Sequence, residues 1–157
     1  MTIRPTILTL LLTTTLAAQN PTPTDEHKHW AEVTHKYETA PLDDDADHDA
    51  TLTVANIAVS DFRVKVCPEL LQDFSDSRYT YRQQIRRLYL LGAATYQVES
   101  GKTDSQGTSL YALHSVLKGY AAILRQEPDA KDKTLSDLAS MDAKNKLADY
   151  IARKNCQ

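Results

Sequence analysis

Four of the five histidines in this 157-residue chain, His27, His29, His35 and His48, fall close to Asp25, Glu26, Glu32, Glu38 and the acidic run 43–49. Imidazole and carboxylate together are ligands that zinc and other divalent ions take. The spacing argues against a site. A helix turns about 100° per residue, so His27 and His29 point to different sides, and no His-x-x-x-His pair exists. Glu32 and His35, three apart, are the best pair on one face. Asp43, Asp45, Asp47 and Asp49 alternate as in an EF-hand loop, but His48 stands where that loop needs glycine and Val54 where it needs the bidentate glutamate. We expect no structural metal and no cofactor. The competing expectation is a small metal- or anion-binding protein built on this region.

Arg78, Arg82 and Arg86 recur at steps of four, with Arg87 beside them, which stacks guanidinium groups along one helical face. Such a stripe can receive phosphate or an acidic partner, pair with the run 43–49, or simply face water. No catalytic residue is named by a motif: G-x-S-x-G, C-x-x-C, a glycine-rich phosphate loop and H-E-x-x-H are all absent. Ser115 directly follows His114, which sets their side chains about 100° apart on a helix. An enzyme therefore ranks third, behind a protein- or peptide-binding module and a metal or anion binder. Tyr89, Tyr96 and Tyr120 either pack at helix seams or line an exposed surface for a partner.

Helices must position these groups. Residues 81–100 carry Tyr81, Ile85, Leu88, Gly92 and Tyr96 at helical steps, and residues 109–127 carry Leu110, Leu113, Leu117, Tyr120 and Leu124. A second stripe, Ala112, Val116, Gly119 and Ile123, widens the apolar face of the later helix, so it must be covered on two sides. The two helices should pack as an antiparallel hairpin, with Gly92 and Gly119 at helix–helix contacts. Ahead of them, Thr24 can cap a helix carrying Trp30, Val33 and Tyr37, which Pro41 ends. Residues 42–50 read as a solvated connector. Thr51 opens a helix with the stripe Leu52, Ala55, Val59, Phe62 and Val66, and residues 68–74 form a short turn. After Pro128, Thr134 and Asp137 resemble a capping box for a last segment of one imperfect helix or two short ones. The expected fold is all-α: a single bundle of about five or six helices around the hairpin, spanning residues 25–157. A charged fraction of 25% and only four glycines suit it.

The first 18 residues carry one arginine, a threonine-diluted apolar run and a Leu-Ala-Ala close, the pattern of a secretory signal peptide. That run is well short of the ~20 residues needed to span a bilayer. Cleavage after Ala18 leaves a flexible tether over residues 19–24 and takes the formal charge from −3 to −4 with the loss of Arg4. So small an excess does not suggest a nucleic-acid binder. No membrane association is expected after cleavage, and the address is secreted or periplasmic. Cys67 and Cys156 are the only cysteines, and in an oxidising compartment they are expected to form a disulfide.

Leu91-Gly92 in one helix, Tyr120 in the next and Pro128 at its end resemble a degenerate tetratricopeptide-type repeat over residues 85–128. The interval from Gly92 to Pro128 is longer than that repeat's, and the segment GKTDSQGT accounts for part of the excess. What the resemblance implies is binding of a protein or peptide.

Overall fold

The computed structural model describes residues 24–75, 78–154 and 156. The expected signal peptide, and all of the tether but Thr24, lie outside the described residues. Among those described there are seven helices and no strand: α1 (Asp25–Thr39), α2 (Asp44–Val59), α3 (Pro68–Ser75), α4 (Arg82–Ser100), α5 (Ser105–Gln126), α6 (Lys133–Asp142) and α7 (Leu147–Arg153). The fold is all-α. The helix count exceeds the expected five or six because the stretch after Pro68 completes a helix and the C-terminal segment divides in two.

The centre is the antiparallel pair α4 and α5. Gly101 ends α4 at φ 67°, a left-handed turn that glycine adopts without steric cost. Asp104 then caps α5, accepting from the Gly107 N–H at 2.6 Å, so this helix opens at Ser105, earlier than expected. Along the seam Gly119 faces Leu88, Gly92 faces Ala112 and Ser115, and Gly107 faces Tyr96, an order that runs in opposite directions on the two helices. A Cβ on Gly92 would stand 2.6 Å from Ser115 Oγ and 3.0 Å from the Ala112 Cα, so the missing side chain is what lets the backbones meet. On the other side α1 crosses α4, where the buried Thr95 and Thr34 hydroxyls share a hydrogen bond of 2.8 Å.

The acidic run is helix, not connector. Asp43 caps α2 by accepting from the Ala46 N–H at 2.9 Å, and Asp44, Asp45 and Asp47 occupy the first turn, where carboxylates suit the helix dipole. The buried face is Ala46, Ala50 and Thr53, with Ile57 half-buried; Leu52, Ala55 and Val59 of the expected stripe face solvent. α2 ends at Val59, and the chain then leaves helix until Pro68. Gln97, 1% exposed, explains why. With its amide turned to satisfy both ends, its nitrogen donates to the Arg63 carbonyl at 3.1 Å and its oxygen accepts from the Lys65 N–H at 2.8 Å. It thereby serves as a neighbouring strand would. Phe62 is left to pack with Trp30, Ala94 and Val98 in a small second core. Asp132, rather than the expected Thr134, caps α6, and Asn145 at φ 54° separates α6 from α7.

Cys67 and Cys156 are joined, with Cα atoms 4.9 Å apart, and tie the start of α3 to the chain after α7. Among the described residues no helix is long and apolar enough to cross a membrane.

Candidate functional site

The disulfide holds the C-terminal tail near α3, and Lys154 Nζ reaches Asp73 at 2.7 Å. Between these two elements and the first turns of α4 and α6 opens a cleft of about 540 Å³. It is backed by the buried side chains of Phe74, Tyr79, Ile85 and Leu135. Its rim is polar: Arg78, Arg82, Asp73, Lys154 and Asp132, with Thr134 and Tyr150 between them.

Both rim acids are already engaged. Asp73 pairs with Lys154, and that hydrogen bond raises the ammonium pKa. Asp132 Oδ1 accepts from the Leu135 N–H at 3.0 Å, and the Asp132 N–H donates to the Tyr120 hydroxyl at 2.9 Å. Lys154 also lies 5.6 Å over the Tyr150 ring, whose hydroxyl pKa is raised by burial. Arg78 and Arg82 are exposed and form no ion pair among the described residues. Arg82 opens α4, whose first turn holds no acid and whose N-cap Tyr81 makes no side-chain cap. A cation in that place works against the helix dipole.

The arginine stripe is therefore divided. Arg78 and Arg82 reach the cleft, while Arg86 is exposed outside its lining. Arg87 takes up the acidic run instead: its guanidinium meets Asp47 at 2.6 Å, and the same carboxylate accepts from the Tyr37 hydroxyl. Burial, then that carboxylate, pushes the Tyr37 hydroxyl pKa up.

Of the three tyrosines set out as a possible binding surface, Tyr89 and Tyr120 are internal clasps, and Tyr96 is a half-buried one at the hairpin turn. Tyr89 is fully buried and its hydroxyl accepts from the Cys67 N–H at 3.2 Å; burial raises its pKa. Tyr120, 3% exposed, fixes the start of α6 through Asp132 and Ser136. Tyr96 is half-buried and donates to Asp104 at 2.7 Å, which lowers the Asp104 pKa and steadies the α5 cap. A ring that must cover the hairpin and also satisfy its own hydroxyl is drawn inward. The aromatic side chains that do face the cleft are Phe74, Tyr79 and Tyr150.

The histidines do not converge. His27 is buried between Trp30 and Phe62, with ring centroids 4.5 and 4.6 Å away, and its Nδ1 accepts from the Thr24 N–H at 3.1 Å. His29 lies 3.8 Å from Glu32, and His35 pairs across helices with Glu99 at 2.9 Å rather than with Glu32. The described residues hold one set with three ligand atoms within 4.8 Å, Cys67, Glu69 and Cys156, and its two sulfurs are bonded to each other. Around His35 the side chains form a closed network. Ser115, fully buried, donates to Glu38 at 2.6 Å; Lys118 reaches the same carboxylate at 2.9 Å; Tyr111 donates to Glu99 at 3.0 Å. The Ser115 hydroxyl thus meets a carboxylate and no imidazole, and His114 pairs instead with Asp142 at 3.0 Å.

No family model, curated protein or solved structure matches this chain. Of the cleft, sequence reasoning found the two arginines and missed the rest. Lys154 and Asp73 are 81 residues apart, so no local spacing could join them. The signal that could have done so was the cysteine pair, which already implied that the C-terminal tail returns to Pro68.

Proposed function

We propose that this chain is an exported, non-catalytic binding module, and that the cleft bounded by α3, α4, α6 and α7 takes a segment of a protein or peptide partner. One observation carries this reading: a concave, polar-rimmed cleft backed by the apolar core, at the end of the bundle where four elements meet. A cleft of about 540 Å³ falls within the ~300–1,000 Å³ range typical of ligand sites. It has room for a few side chains of an extended segment. The disulfide suits an oxidising compartment, in keeping with the signal-like residues 1–18. The likeness of the hairpin to a tetratricopeptide-type repeat adds to the expectation of a protein or peptide partner.

The test is photo-crosslinking from a photoreactive phenylalanine analogue placed at the exposed Thr134 on the cleft rim, with Lys28 of α1 as the control position. Incubated with its native extracellular or periplasmic fraction, the Thr134 form should yield a discrete adduct that the Lys28 form does not. Equal labelling from both positions, or none from Thr134, contradicts the assignment of the cleft.

A further inference from the structure

Building on that assignment of the cleft, we infer that the segment it receives is an acidic peptide. Its carboxylates meet Arg78 and Arg82, and its neighbouring side chains occupy the rest of the cleft.

The charge distribution carries this. The chain as a whole is acidic, with 21 Asp and Glu against 18 Lys and Arg. At the cleft the balance reverses. Lys154 and Asp73 neutralise one another, and Asp132, which keeps its charge while capping α6, stands against the two guanidinium groups of Arg78 and Arg82, so positive charge is in excess on the rim. Arg87, Lys118 and Lys36 have carboxylate partners in Asp47, Glu38 and Asp49. Arg78 and Arg82 have none among the described residues. A planar guanidinium binds a carboxylate through two parallel N–H donors, which gives direction as well as attraction. A carboxylate in front of Arg82 also offsets the unfavourable placement of a cation at the start of α4. The cleft, at about 540 Å³, is larger than a small free anion needs and leaves room beside the two guanidinium groups for the neighbouring side chains of a peptide.

The experiment is fluorescence anisotropy with a labelled peptide of alternating glutamate and leucine, and a matched peptide with glutamine in place of glutamate. Three proteins are compared: wild type, Arg78→Gln/Arg82→Gln, and Lys28→Gln/Lys102→Gln. The last removes the same net charge, and its Lys102 lies beyond the far end of α4, about 27 Å along the axis from Arg82. The acidic peptide should bind wild type, weaken at least about tenfold in the arginine variant and stay within about twofold in the lysine variant. The glutamine peptide should bind wild type at least about tenfold more weakly than the acidic one. Both arginines are exposed, so the variant should keep its thermal midpoint, checked by circular dichroism. Equal binding of the two peptides, insensitive to the arginines, overturns the acidic ligand and leaves the cleft assignment standing. Binding of neither peptide also overturns it, and the Thr134 crosslink then judges the cleft separately. Displacement of the peptide by inorganic phosphate at comparable concentration assigns the arginines to a phosphate site and overturns the peptide.

Discussion

Alanine is the better helix former by about 1 kcal/mol, yet replacing Gly92 with alanine should destabilise this protein. The added methyl would stand 2.6 Å from Ser115 Oγ, 2.7 Å from its Cβ and 3.0 Å from the Ala112 Cα. The last two are fixed to the α5 backbone, so rotating a side chain does not clear them. The helices must separate, which for one extra methyl in a close-packed seam costs typically about 1–3 kcal/mol. Separation also strains the Ser115–Glu38 hydrogen bond of 2.6 Å, made to a carboxylate only 5% exposed and worth about 1.5–3 kcal/mol. Set against the propensity gain, the net loss should be about 1–3 kcal/mol. Gly119→Ala should cost less, because the atom it meets is a Leu88 methyl at the end of a flexible side chain. Urea denaturation followed by far-ultraviolet circular dichroism measures both, with an unchanged slope as the check that only the native state is affected. Ser115→Gly in the Gly92→Ala background restores the space and not the hydroxyl. The cycle should therefore show a favourable coupling of about 1 kcal/mol or more. A Gly92→Ala protein as stable as wild type, or more so, refutes the packed seam.

His35 hydrogen-bonds Glu99, and this raises its pKa above the ordinary 6.5 against the opposing effect of burial. The stabilisation from charged His35 is fully present below the unfolded pKa and is lost as pH rises through the folded value. Between about pH 6 and 8 wild type should lose stability relative to His35→Gln, by only a few tenths of a kcal/mol because the ring is 46% exposed. Denaturation midpoints across that range would show it. Cys67→Ser/Cys156→Ser should lose up to ~4–5 kcal/mol, since the bridge joins residues 89 apart and so restricts a long loop in the unfolded chain. Thermal melts read the loss, and the wild type should offer no alkylatable thiol until reduced. Asp132→Ala should cost about 1 kcal/mol as the loss of the α6 cap, and Thr134→Ala much less, by the same urea assay. The reverse order would restore Thr134 as the cap.

The hairpin was legible because its signals are local: apolar steps of three and four, and glycines on the stripes. The α2 stripe was misread for a physical reason. Its true buried positions begin with Ala46 and Ala50 inside a run of aspartates, while the more hydrophobic Leu52 and Val59 lie on the exposed side. Residues 61–67 read as helix because their period fits one. Gln97 and Tyr89, distant in sequence, supply backbone partners that favour an extended chain. The tyrosines show the same limit from the other side. Composition cannot say whether an amphipathic ring faces water, and Tyr89 faces inward because the Cys67 N–H waits there. Cleft residues from α3, α6 and α7 meet only through the disulfide and the packing around it, so the basic stripe was visible without its partner wall.

The claim that the cleft receives a peptide segment is tested most directly by titrating a randomised heptapeptide pool into isotope-labelled protein and mapping amide chemical-shift changes. Shifts should concentrate around Phe74, Arg78, Arg82, Leu135 and Tyr150, which line the cleft. Shifts centred instead on the separate groove formed by Ile57, Val64, Val66 and Leu90, or no shifts at all, contradict it.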